Sequence, residues 1–270
     1  MRKRGGGISN IKLVNKSKEL KSYYQLHIDF NTVDSMGANF INSCLETISK
    51  KFKELLSDSP QFKESEKKIE VIMSILSNYT PECIVESSVE CKIDDLGDID
   101  GINSKEFALK FKDAFDIAEI DINRAVTHNK GIMNGVDAIL ISTGNDFRAV
   151  EAGVHAFASN NGKYRSLSKC SITDDIFKIS LEIPLSIGTV GGITDVHPMV
   201  KLSLKLLNNP TSDELMKIIC SVGLAQNFAA VKSLVTSGIQ KGHMKMHLIN
   251  LLIKKNASKD QIDKSEEYFK

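Results

Sequence analysis

Lys130 stands between an asparagine and a glycine in THNKGIMNG (127–135), and a second pair, Asn134 and Gly135, closes the segment. An ammonium beside flexible backbone can be brought to a carbonyl or phosphate oxygen and stabilise the charge that develops there. Such a lysine is more commonly a solvated loop residue, so the segment alone carries both readings. Just before STGNDFRAVEAGVHAF (142–157) comes the apolar run AILI (138–141), and Gly144 and Asn145 follow it before Asp146 opens a helix. An N-cap is the ordinary use of an aspartate in that place. In GIQKGHMKMH (238–247), His243 follows Gly242 at a helix start and lies outside any apolar stripe. It is the best candidate among the six histidines for donating a proton near neutral pH. His247 lies one turn later, a spacing that suits zinc, but HMKMH lacks the glutamate and a third ligand is not evident. Capping and packing of a helix is the simpler reading, and no metal is expected.

Periodicity indicates the elements that must hold these groups. Two strands are expected at IKLVN (11–15) and YYQLHIDF (23–30), the second with Tyr24, Leu26, Ile28 and Phe30 on one face. A helix with the stripe Ile41, Cys44, Leu45, Ile48, Phe52, Leu55 and Leu56 should lie over them. IEVIMSIL (69–76) and the alternation Val85, Ser87, Val89, Cys91, Ile93 read as further strands. Beyond GDIDGIN (97–103) the pattern becomes mainly helical, with helices expected at 104–118, 146–159, 195–207, 212–220, 222–237 and 240–254. A hairpin at 168–184 should turn at Asp174-Asp175.

Composition narrows the function. The 270 residues carry 35 Lys+Arg against 34 Asp+Glu, a balance that argues against nucleic acid as a partner. The 41% hydrophobic and 26% charged fractions are those of a folded globular chain. Five cysteines, odd in number and never spaced CxxC, point to a reducing, cytoplasmic setting. The basic start lacks the apolar core of a signal peptide, and no uncharged apolar stretch approaches eighteen residues, so no membrane span is expected. Gly-x-Gly-x-x-Gly and Walker A are both absent, which argues against a generic Rossmann dehydrogenase.

Six segments occur in a telling order: DSMGAN (34–39), THNKGIMNG, TGNDFRAVEAG, GTVGG (188–192) with His197-Pro198 nearby, VGLAQN (222–227) and GIQKGHM (238–244). In order and spacing this resembles the 3-hydroxy-3-methylglutaryl-CoA reductases, and most closely their soluble class II form. The similarity runs from RGGG (4–7) to about residue 250. It implies an oxidoreductase of the mevalonate pathway, and so of isoprenoid biosynthesis. The reaction is a reversible four-electron reduction of HMG-CoA to mevalonate and CoA, with NADH or NADPH as hydride donor. Lys130 matches the lysine that polarises the carbonyl, Asp146 the aspartate that orients it, and His243 the histidine that protonates the departing thiolate. Arg124 and Asn134 match substrate contacts, Arg124 taking the free carboxylate. Asp34, Met36, Gly37 and Asn39 match the cofactor motif, with Ser35 where alanine is usual.

The resemblance implies an α+β fold: a partial, ferredoxin-like cofactor domain at 1–97, a mainly helical HMG-CoA-binding domain at 98–237 and a helical flap at 238–270. It also implies a homodimer or an oligomer of dimers. The family's glutamate in an ENVIG-like motif has no counterpart here. Glu82, Glu86 and Glu90 fall after DSMGAN and break the motif order. The expectation is therefore that an N-terminal part is missing and that the chain alone has little reductase activity. The alternative is a non-catalytic fragment, or one half of a split reductase that acts only with a partner chain.

Overall fold

The fold is known from a computed structural model, which describes all residues except 1, 2, 4, 237, 269 and 270, and all side chains of these except 239–246 and 266. The chain divides into two compact units, one of Met1–Val85, Ala138–Phe157 and Pro184–Ile218, the other of Glu86–Asp137, Ala158–Ile183 and Ile219–Lys270.

In the first unit, β1 (Gly7–Asn15) and β2 (Tyr24–Asn31) pair antiparallel, with a register shift between Ile8 and Asn10. The ribbon presents Ile11, Leu13, Tyr24 and Leu26 to solvent. Helix α1 (Ala38–Asp58) has the expected apolar stripe, yet none of its residues is buried. It lies along 69–76 instead, where the Leu76 amide donates to Asn42 Oδ1 at 2.9 Å and the Ser74 and Ser49 hydroxyls meet at 3.2 Å. That segment forms no strand, and Ile72, Met73 and Ile75 are exposed. Its β-branched residues suit a sheet, but strand propensity needs a ladder to pair with. Helices α4 (Phe147–Phe157) and α5 (Pro198–Leu206) complete this unit with the first turns of α6.

The second unit contains β3 (Ile84–Lys92), β4 (Ser168–Thr173) and β5 (Ile176–Pro184), in the order β3-β5-β4. Thus β3 pairs with the hairpin rather than with β1 and β2. Asp174 and Asp175, with φ of 51° and 61°, make the two-residue turn that the sequence marks. Phe177, Ile179, Leu181 and Ile183 of β5 alternate into the core. Helix α2 (Ser104–Ile120) starts at Asn103, whose side chain accepts from the Glu106 amide at 2.9 Å. It buries Phe107, Phe111 and Phe115, and the Phe111 ring centre lies within 5.5 Å of those of Phe107, Phe115, Phe177 and Phe228.

Two segments depart from expectation. The stretch around Lys130 is no loop but part of a continuous helix, α3 (Ile122–Ser142). The helices expected at 212–220 and 222–237 are one, α6 (Ser212–Val235). Glycine explains both misreadings. A Cβ on Gly135 would lie 2.9 Å from the Val222 carbonyl oxygen, and one on Gly223 would lie 3.0 Å from Val136 and 3.1 Å from Leu181. These glycines let α3 and α6 approach closely, a packing need that outweighs their cost of about 1 kcal/mol in a helix interior. Helix α6 is also long and apolar enough to cross a membrane by length and composition, although charged residues interrupt it. Its Leu215, Ile219, Leu224 and Val231 are buried within the protein. Helices α7 (Ile239–Lys254) and α8 (Lys259–Tyr268) end the chain.

Candidate functional site

Helix α3 begins at Asp121, whose carboxylate accepts from the Asn123 amide at 3.2 Å and the Arg124 amide at 3.3 Å. Arg124 is half-buried, whereas Lys130 and Asn134, one turn apart on the same face, are exposed. The opposite face explains what fixes them. His128 and Asn129, immediately before Lys130, are 3% and 0% exposed. Asn129 Nδ2 donates to the Arg165 carbonyl at 2.8 Å, and its Oδ1 accepts from the Leu167 amide at 3.0 Å. His128 Nε2 lies 2.7 Å from the Ser168 hydroxyl, which donates to Asn227 Oδ1 at 2.9 Å. Two adjacent side chains thus tie α3 to the start of β4 and to α6.

The His128 ring is neutral, because burial, and then the nearby Arg124 charge, lower its pKa to about 4. Its Nδ1 is buried without a partner among the described residues. The tautomer with the proton on Nε2 leaves only a bare lone pair there, the cheaper of the two defects. The sequence reading missed this network; two polar residues directly before Lys130 in a helical register were its only signal. The thiols are quiet: burial pushes those of Cys170 and Cys220 up to about 12.

The first unit brings three glycine-bearing segments together. The α3 helix ends at Gly144, with φ of 72°, in a Schellman arrangement: the Asn145 amide donates to the Leu140 carbonyl and the Gly144 amide to that of Ile141. Asp146 does cap α4, its Oδ1 accepting from the Arg148 and Ala149 amides at 3.1 and 3.4 Å. Arg148 also grips both carboxylate oxygens at 3.1 Å, and this side-chain contact is the main reason the carboxyl titrates below its usual range. The reading of Asp146 as an N-cap therefore holds and leaves an ionised carboxylate at the helix start.

Asn145 Oδ1 accepts from the Gly188 amide at 2.8 Å. The Thr189 and Val190 amides donate to the Asp34 carbonyl at 2.8 and 3.2 Å. The Asp34 carboxylate accepts from the Ser212 amide at 2.8 Å, at the first residue of α6. DSMG, TGND and GTVGG are therefore one cluster. Gly37, with φ of 71°, precedes α1 and makes no side-chain cap, so the first amides of α1, at Ala38, Asn39 and Phe40, lack intrahelical acceptors. The first turn holds no acidic residue. Open amides without a competing carboxylate fit a pyrophosphate. His243 falls within α7, but its side chain lies outside those described. His247, on the same helix, is exposed.

Residues 1–248 match the family model for hydroxymethylglutaryl-coenzyme A reductase. The chain belongs to that family. It is 34% identical over 264 residues to the 3-hydroxy-3-methylglutaryl-coenzyme A reductase of Archaeoglobus fulgidus, covering 97% of this chain and 56% of the relative. It is 38% identical to a probable reductase of Borreliella burgdorferi, covering 93% and 55%. A solved reductase from Streptococcus pneumoniae superposes with a TM-score of 0.77 at 38% identity, over 99% of this chain and 61% of that one. A class II structure from the same organism, bound to NADPH in open conformations, gives 0.74 at 38% identity, over 87% and 61%. The chain thus spans little more than half the length of the curated relatives it matches.

Proposed function

We propose that this chain carries most of the catalytic residues for nicotinamide-dependent reduction of HMG-CoA to mevalonate and CoA. The observation that carries the reading is the placement of Arg124, Lys130 and Asn134 along one helix, within the span that matches the family model. The dinucleotide supplies the hydrides. Lys130, an exposed cation, stabilises negative charge on the substrate carbonyl oxygen as hydride arrives. Asp146, held ionised by Arg148, orients that ammonium. His243 protonates the thiolate as it leaves, so that free thiol departs and the carbonyl cannot be re-attacked. The Arg124 guanidinium holds the substrate's free carboxylate, with Asn134 beside it.

Asp34, Met36, Gly37 and Asn39 form the dinucleotide's place, supported by the open amides at the start of α1. NADPH is favoured over NADH because a related structure holds it. In this reading residues 1–97 form the cofactor domain, 98–237 the substrate domain and 238–270 the closing flap. The working form is a cytoplasmic homodimer or oligomer of dimers, with no membrane or nucleic-acid partner and no metal. The 270 residues contain no ENVIG-like glutamate, so that role is assigned to none of them.

The test is spectrophotometric oxidation of NADPH by the purified chain, with and without HMG-CoA. Dinucleotide binding is expected, with little HMG-CoA-dependent turnover from the chain alone. A chain that binds neither NADPH nor HMG-CoA contradicts the proposal and favours the non-catalytic alternative.

A further inference from the structure

We propose that Asn145 is a positioning residue that holds the DSMG turn through Gly188, tying the dinucleotide's place to Asp146, the next residue in the chain. The inference rests on the cofactor reading of Asp34–Asn39 given above.

Three observations within the first unit carry it. First, the Gly188 amide donates to Asn145 Oδ1 at 2.8 Å, while Asn145 Nδ2 donates to the Thr143 hydroxyl at 3.1 Å, so the amide side chain is held from both ends. Thr143 is itself fully buried, its hydroxyl donating to the Ile139 carbonyl at 2.7 Å. Second, the Gly188 α-carbon rests directly on the DSMG backbone: a Cβ there would overlap the Met36 nitrogen and lie 2.9 Å from the Ser35 carbonyl carbon and 3.0 Å from the Asp34 oxygen. Third, the next two amides, of Thr189 and Val190, both donate to that same Asp34 carbonyl.

A side chain at position 188 would prevent this contact, and the Asn145 side-chain oxygen satisfies the Gly188 amide. Displacement of the Gly188 backbone therefore moves Asp34, Met36 and the first turn of α1. Displacement of Asn145 moves Gly188 and Asp146 together. The family's cofactor motif and the aspartate matched to its catalytic one are thus connected by one side chain and one close backbone approach.

The test is titration of NADPH against the full chain and its variants, read by nicotinamide fluorescence and by hydrogen exchange at Gly188, Thr189 and Val190. Asn145→Ala is expected to weaken NADPH by about tenfold, the loss of one partly buried hydrogen bond, and to speed exchange at all three amides. Asn145→Asp keeps an acceptor for the Gly188 amide and is expected to bind more tightly than Asn145→Ala. Should Asn145→Ala fail to fold, Gly188→Ala breaks the same connection from the other side, with the same expected loss and faster exchange at Thr189 and Val190. Unchanged affinity in the variants, or equal losses in Asn145→Asp and Asn145→Ala, overturns the inference alone. No NADPH binding by the unaltered chain overturns the cofactor reading, and the inference with it.

Discussion

At the scale of single residues, the proposed site divides into exposed side chains assigned to ligands and buried ones that hold their helix in place. Lys130 and Asn134 are of the first kind; His128, Asn129 and Ser168 are of the second. The buried histidine gives a pH signature. Its folded pKa, about 4, lies below the ordinary histidine value of 6.5, so as pH falls the unfolded chain takes up the proton first. Stability from this group is complete above pH 6.5 and is lost as pH falls toward about 4, by up to about 3 kcal/mol. Urea unfolding between pH 7 and 4.5 should show this slope, and His128→Gln, which cannot ionise, should reduce it. An identical slope in the variant would mean that His128 titrates normally. Lys130, Asp146 and Arg124 stood out in the sequence through the order of the segments that contain them. The His128–Ser168–Asn227 network was not, since its members lie 40 and 99 residues apart along the chain.

At the scale of elements, strands flanked by clear turns were easier to read than glycine-bearing helices. The hairpin at Asp174-Asp175 turned where local sequence requires it, because two residues of positive φ fix a two-residue turn by themselves. Helices α3 and α6 were misread because Gly131, Gly135 and Gly223 look like breakers until the neighbouring helix is known. The contrast between two of these glycines is testable. Gly135→Ala would set a Cβ 2.9 Å from the Val222 oxygen and 3.0 Å from Gln226, and should cost about 1–3 kcal/mol in urea unfolding. Gly131→Ala meets nothing closer than the Ala230 Cβ at 3.9 Å, and should stabilise by up to about 1 kcal/mol. Equal effects at the two positions would contradict the close approach of α3 to α6. The segment 69–76 failed as a strand for the opposite reason: its residues suit a sheet, but no ladder pairs with it among the described residues.

At the scale of the whole molecule, family membership rests on a match over residues 1–248, while the chain covers 55–61% of the relatives compared. Motif order made the family legible from sequence alone. The two-unit partition was not legible, because three of its boundaries fall inside β3, α3 and α6 rather than at loops. The central claim is that Lys130 is the cation that carries the reduction. The most direct measurement is HMG-CoA-dependent NADPH oxidation by this chain mixed with the N-terminal part of the Streptococcus pneumoniae relative, compared with the Lys130→Ala variant in the same mixture. Because Lys130 is exposed, the variant should change unfolding free energy by no more than about 0.5 kcal/mol. Turnover is expected in the mixture and should fall by about 10²–10³-fold in Lys130→Ala, the usual cost of losing a group that stabilises an oxyanion. Turnover that survives the substitution undiminished would contradict the claim.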